Sequence, residues 1–233
     1  MSRKQKNMKN KSIDLYAFIY NDEDILPYFL SYYSFVKTMT FIDSGSDDNT
    51  LKILKSFNGD IRITQTGLKW WDHNELHIYK NEIWKDSKAD LVFFPDVDEI
   101  FYRPDLVEFL AERKNDIYEM QGFEMVSDGM PKESLLEFKE GVPFQMYNKS
   151  TIFNPRINIY FPNAHIRYSL VTNVSIGDIK LLHYRSLGID MMKKRRDRER
   201  DRLPVTFKER SIHTDKELEL RHEYLIKNAT KVI

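Results

Sequence analysis

From Ile13 to Pro95 the chain alternates short, nearly unbroken apolar runs with amphipathic segments, and few folds accommodate that pattern. "IDLYAFIY" reads as a buried strand. Asn21 or Asp22 stands where it can cap a helix over "DEDILPYFLSYYSFV", with Pro27 in the tolerated first turn. "MTFID" is the next strand, followed by the turn chemistry of "SGSDDN", a helix "NTLKILKSF" and a strand "IRITQ". A longer helix is expected from about Asp72 to Ser87, where Leu76, Tyr79 and Ile83 share a face, and then the strand "LVFFP". Strands this apolar are covered on both sides, so the β-α-β order predicts an α/β fold with a mostly parallel central sheet between helices. Ligands of such sheets bind at the carboxyl ends of the strands. Those ends carry Tyr20-Asn21, Asp43-Ser44-Gly45 and Asp96-Val97-Asp98-Glu99.

Past Arg103 the alternation degrades. A helix "RPDLVEFLAERK" leads to "IYEMQGFEMV", to the strand-like pieces "STIFN", "INIYF", "IRYSL" and "IKLLHY", and to two final helices, the first very charged. No repeat or linker divides the chain, and 233 residues suit one domain. We expect a flexible basic tail over 1–12 and a single domain over 13–233, its second half shorter, more antiparallel and irregular. The 36 basic and 36 acidic residues cancel, so no whole-molecule field attracts nucleic acid. The apolar run behind "MSRKQKNMKNK" is too short for a signal peptide, and no stretch nears the ~18 apolar residues of a membrane span. The expectation is a cytoplasmic protein, with peripheral membrane contact open to its basic segments.

With no cysteine, any metal must be held by Asp, Glu, His or Asn, which selects hard, oxygen-loving cations such as Mg²⁺ or Mn²⁺. "FFPDVDEI" is the sharpest signal of that kind. Two aspartates one residue apart, fixed at the sheet's rim by "LVFF", repel each other unless a cation joins them. The plainer reading is a strand end followed by a polar turn. "FIDSGSDDNT" adds a carboxylate, Asp43, at the end of a second strand, with backbone amides beside it. Asp48 or Asn49 as an ordinary helix cap accounts for the end of that segment but not for Asp43.

The ordered set "YNDEDILPYFLSYYS", "FIDSGSDDNT", "KNEIWKDSKADLVFFPDVDEIFY" and "LLHYRS" resembles the family-2-like glycosyltransferases of the GT-A fold, from about Ile13 to Arg202. The resemblance implies a nucleotide-binding α/β sandwich that transfers a sugar from a nucleotide-sugar, a UDP-sugar first, to a hydroxyl of a glycan or glycolipid, with inversion. It divides the chain into a donor half, 13–103, and an acceptor half, 104–233. By position, Asp43 matches the acidic contact to uracil or ribose, Tyr20 and Asn21 lie beside the base, and Asp96 and Asp98 match the metal-binding DxD, with Glu99 completing "DxDE". Ser44 departs from the family, where aspartate or asparagine is usual.

Other candidates complete the site. His183 in "LLHYRS" is the first choice for a further metal ligand, ahead of His165 and His213, while His73 and His77 lack the HExxH order and read as structural or substrate-facing. Lys80 either enters the donor pocket or is a solvated lysine on an amphipathic helix. The run from Lys193 to Arg202 interleaves seven basic with three acidic residues and reads mainly as a salt-bridged helix, Arg195 and Arg196 being nearest to a phosphate. For the catalytic base we take Asp128 in "MVSDGM", with Glu124 as the other carboxylate flanking "FEMVS". Paired aspartates also serve nucleotidyl or phosphoryl transfer, though no G-x-x-x-x-G-K-[ST] loop is present, and a nucleic-acid-binding module is the remaining, disfavoured alternative.

Overall fold

The computed structural model describes residues 11–67, 73–162, 167–202 and 213–233. Strands β1 (Ile13–Ile19), β2 (Thr38–Asp43), β3 (Ile61–Gln65) and β4 (Leu91–Phe93) form a parallel sheet in the order β4-β1-β2-β3. Helices α1 (Leu26–Tyr32), α2 (Thr50–Ser56) and α3 (His73–Glu82) fall between successive strands. The alternation in each strand shows why both faces are covered. Leu15, Ala17, Phe41 and Phe93 join Phe29, Leu30 and Tyr33 of the α1 segment in one core. Their neighbours Tyr16, Ile42, Val92 and Phe94 join Trp84, Phe153 and Phe161 on the other face. Each fully buried aromatic of this kind contributes roughly 1.5–3 kcal/mol by leaving water.

The second half continues the sheet with mixed strand directions. β8 (Lys149–Phe153) runs antiparallel to β4 and to the long β6 (Ile117–Ser127), which pairs at its far end with β7 (Glu140–Pro143). On β6's other edge lies β9 (Val174–Leu187), parallel to β6 and antiparallel to β5 (Glu99–Tyr102). Helices α4 (Leu106–Glu112), α5 (Ile189–Arg202) and α6 (Asp215–Asn228) and the short β10 (Thr230–Lys231) are the other elements among the described residues.

Several local expectations are corrected. Neither Asn21 nor Asp22 caps α1 through its side chain. The cap position is Ile25, because the Asn21 amide is bonded to Asp47 and Asp22 to the Tyr20 amide and Arg198. Among the described residues of "INIYF" and "IRYSL" there is one bridge, Tyr160 to Tyr168, rather than two strands. β5 was not foreseen, since "DEIFY" reads as a turn until β9 is there to pair with it. Lys11 and Ser12, expected in the tail, hydrogen-bond to Arg113 and Asp90. Among the described residues no helix is long and apolar enough to cross a membrane.

Gly122 marks a close approach on β6. A Cβ there would lie 2.5 Å from the Tyr147 carbonyl carbon, so the turn Gln145–Tyr147 can sit on the strand only over glycine. Gly122→Ala is expected to lower stability by about 2 kcal/mol in urea unfolding, through displacement of that turn.

Candidate functional site

Because β1, β2 and β4 are parallel, their carboxyl ends bring Tyr20-Asn21, the Asp43–Asp48 loop and the Asp96–Glu99 turn to one edge of the sheet. Two of these loops are bonded together. Asn21, in the left-handed region at φ 52°, accepts from the Asp47 amide at 2.8 Å and donates to its carboxylate at 2.6 Å. A non-glycine residue held there is costly and persists only where surrounding bonds fix it. Asp43, fully buried, accepts from the Ser46 hydroxyl at 2.6 Å and the Ser46 amide at 3.1 Å. It therefore shapes the Ser-Gly-Ser loop from within. Of the two expected caps of α2 the N-cap position falls to Asn49, without a side-chain cap bond, while Asp48 just before it accepts from the Thr50 amide at 2.8 Å.

The DVDE turn is closed by reciprocal bonds: the Asp96 amide donates to Glu99 Oε2, and the Glu99 amide to the Asp96 carbonyl, both at 2.9 Å. Its carboxylates meet protein cations. Lys149 Nζ, 3% exposed at the start of β8, lies 2.6 Å from Asp96 Oδ2 and 2.5 Å from Glu99 Oε1. Arg195 of α5 pairs with Asp98 Oδ2, and His183 Nε2 lies 3.4 Å from the same oxygen. On its other side His183 Nδ1 is 3.6 Å from Glu124 Oε2, and Arg221 is 3.7 Å from that oxygen. β9 produces this line by lying between β5 and β6, since His183 is in register with both Glu99 and Glu124.

Electrostatics follow from that geometry. Burial opposes ionisation of Asp98, but Arg195 and then His183 override it and hold the carboxyl well below the usual range. Burial alone would lower His183, and Asp98 and Glu124 instead raise it, favouring the imidazolium. Glu124 is likewise pushed up by burial and brought below its normal value by His183. Glu99 is the exception, because burial outweighs its share of Lys149 and its pKa rises. Lys80 is 7% exposed, so the solvated alternative does not hold. Its ammonium lies 5.4 Å from the Phe94 ring centroid and 5.0 Å from that of Phe161. Burial and the neighbouring Lys149 lower it to about 8.

A divalent ion suits part of this set. Asp98 and His183 already converge, and an ion of the Mg²⁺ or Mn²⁺ type is commonly held by one or two protein groups completed by phosphate oxygens. Among the described residues no cluster of three or more His, Cys, Asp or Glu is arranged to hold one without such help, because Asp96 turns to Lys149. Both Glu124 carboxylate oxygens and His183 Nδ1 are buried without a hydrogen-bond partner, which fits a site completed by something more.

The structure separates the other candidates. Asp128 is exposed, four residues beyond Glu124 and thus roughly 13 Å along β6, and no hydrogen bond or ion pair joins it to the cluster. His165 lies outside the described residues, as does the His73 side chain, and His213 is exposed, its carbonyl accepting from Arg196. The expectation for Arg196 is corrected. One residue on from Arg195, it is turned about 100° around the helix and pairs with Asp197 and Asp215. Lys193, Lys194, Arg195 and Arg198 also pair with acids, so α5 is the salt-bridged helix its charge pattern suggested. Sequence reasoning missed Lys149, Arg198 and Arg202. A lysine opening the apolar "KSTIF" strand was the one available signal for the first.

No family model matches the sequence, nor does any curated protein sequence. Solved structures do. S. aureus TarS 1–349 superposes with a TM-score of 0.51 over 80% of this chain at 16% identity, and the same protein in complex with UDP with 0.50 at 15%. The chain spans 65% of those structures. Glucosyl-3-phosphoglycerate synthase from Mycobacterium tuberculosis, with Mn²⁺, UDP and glucosyl-3-phosphoglycerate, overlaps 49% of the chain at 18% identity and a TM-score of 0.34, too partial a likeness to bear on the site. The fold is of the GT-A type.

Lys149 gives a test of the charge cluster. Lys149→Met leaves Asp96 and Glu99 without their shared counter-ion and should cost about 3–5 kcal/mol in denaturant unfolding, whereas an exposed pair such as Lys85–Glu82 should cost under about 1 when Lys85 is replaced.

Proposed function

We propose that the protein is a metal-dependent glycosyltransferase that moves a sugar from a nucleotide-sugar, most simply a UDP-sugar, to a hydroxyl of a glycan or glycolipid acceptor with inversion. The observation that carries this reading is the convergence of Asp98 and His183 at the carboxyl edge of a GT-A-type sheet, beside the Asp43 loop and the DVDE turn. The UDP bound in the TarS complex supports a uridine nucleotide as donor.

In this reading Asp98 and His183 hold the ion, with Asp96 at the more open side of the turn. The ion, when bound, supplies positive charge to the departing diphosphate. Asp43 keeps the Ser-Gly-Ser loop in shape for the nucleoside, and Tyr20 and Asn21 form its floor. Lys149, with Lys80 nearby, offsets the charge of Asp96 and Glu99 and so lessens its repulsion of the donor's phosphates. Glu124 lies 3.6 Å behind His183 Nδ1, as an ion pair rather than a hydrogen bond, and its charge favours the orientation that turns Nε2 toward Asp98. That makes Glu124 a positioning residue. Asp128, the exposed carboxylate past the end of β6, is then the group that takes the acceptor's proton.

Two measurements test this. Initial transfer rate against Mn²⁺ concentration should fall for both Asp98→Asn and His183→Ala, and raised Mn²⁺ should restore His183→Ala the more, since water can replace a neutral ligand but not a formal charge. A folded His183→Ala protein with unchanged rate and metal dependence would remove His183 from the site. Asp128→Asn should lower kcat about 100-fold or more with the metal dependence unchanged, while Glu124→Gln should shift the Mn²⁺ dependence. The reverse pattern would exchange the two roles.

A further inference from the structure

Helix α5 crosses the carboxyl ends of the strands, and three arginines define what it does there. Arg195, Arg198 and Arg202 are three and four residues apart and so share a face. Arg195 reaches Asp98, and Arg198 reaches the Asn21 carbonyl and, at 3.0 Å, Asp22 Oδ1. Arg202 donates to the Ser44 carbonyl at 3.3 Å, with its guanidinium 3.9 Å from the Tyr20 ring centroid. One helix face thus touches each of the three loops to which donor binding has been assigned.

The result is closure. Asp43, Ser44, Asp98 and His183 are each at most 5% exposed. Among the described residues a cleft beside α5, lined by Asp22, Tyr184, Arg185, Lys194, Arg195 and Arg198, has a volume of about 20 Å³. That is room for about one water, whereas ligand sites of nucleotide size run to several hundred Å³. A ligand at Asp98 Oδ2 therefore meets Arg195 already there.

We propose that α5 is a donor-operated cover: Arg195 is the internal counter-ion of Asp98 while the site is empty, a divalent ion displaces it, and the freed arginine row turns to the phosphates of a nucleoside diphosphate. This rests on the reading of Asp98 as an ion ligand. Two cations on one buried carboxylate oxygen repel each other, so Arg195 and the ion compete. A diphosphate offers the released guanidiniums a stronger partner, because planar forks bind phosphate oxygens in pairs. Gly188, at φ 78° between β9 and α5, is the joint. A Cβ there would lie 2.8 Å from the Asp128 carbonyl, so only glycine makes this turn from strand to helix. α6 is held to the sheet by His222 on the Ser127 carbonyl and by the buried Leu218 and Leu225, so the pairs Lys193–Glu219 and Arg196–Asp215, which join exposed acids, are the contacts that α5 must give up to move.

The test compares Mn²⁺ binding without nucleotide, followed by electron paramagnetic resonance, in the unmodified chain, R195Q and R200Q. Arg200 is exposed on the same helix, so R200Q removes the same charge without touching Asp98. R195Q should bind Mn²⁺ about tenfold more tightly and R200Q less than about twofold. Equal affinities in the two variants would overturn the competition. A second measurement leaves the arginine row intact. The chain has no cysteine, so spin labels at D201C on α5 and K55C on α2, both exposed, report the position of the cover. Mn²⁺ with UDP should lengthen or broaden the distance distribution, and an unchanged distribution would overturn the cover. If the unmodified chain binds no Mn²⁺ even with UDP, the glycosyltransferase reading fails and the cover with it. If it binds Mn²⁺ with UDP and R195Q behaves as R200Q, only the cover fails.

Discussion

Asp96, Asp98, Glu99 and Glu124 are gathered at one edge of the sheet, three of them almost wholly out of water, and the structure around them is the means by which negative charge is kept there. Burying a carboxylate without a partner is among the most expensive things a fold can do. Lys149 lies between Asp96 and Glu99, and His183 between Asp98 and Glu124, while Arg195 adds a second cation on Asp98. These cations come from β8, β9 and α5, elements that belong to the second half of the chain, so the acidic turn of the first half is stable only once the second half has docked.

The same constraint explains the shape of the fold. A parallel sheet of four strands would leave β4 as an open edge with the DVDE turn beside it. Instead β8 extends the sheet antiparallel to β4 and β6 continues it antiparallel to β8, which brings Lys149 under the turn, and β9 joins β6 to β5, which carries His183 between two acids. The bend and register shifts in β6 permit it to pair with β8 near its start and β7 near its end. The irregularity of the second half is thus the geometry that aims side chains at the charged edge, while the regular first half supplies the two apolar layers that hold that edge rigid.

For function, the cluster is both prepared and blocked. In the proposed reading Asp98 and His183, 3.4 Å apart, would share the ion, with Glu124 3.6 Å behind the imidazole, so the ligands themselves would need little rearrangement. In that reading the barrier to ligand entry lies in α5, whose Arg195 pairs with Asp98. A site whose carboxylates are neutralised internally is stable when empty and gives up that neutralisation only to a ligand bringing its own positive charge, which couples occupancy of the site to the position of the helix.

Much of this was legible in the residues. The apolar runs of "IDLYAFIY", "MTFID" and "LVFFP" determine a parallel sheet, because strands without a polar face must be covered twice, and their order determines that Asn21, Asp43 and Asp96 arrive at one edge. His183 was legible as the polar interruption of an apolar strand. The partners of these residues were not. Lys149 looks like any lysine at a strand start until β8 is placed against β4, and Arg198 and Arg202 look like members of a solvated charge run until α5 is laid across the strand ends. β5 needed β9 to exist at all. Alternation and turn chemistry are local and are carried by neighbouring residues, whereas a counter-ion is chosen by distance in space. Asp98 and Arg195 are 97 residues apart, and only tertiary structure decides that they meet.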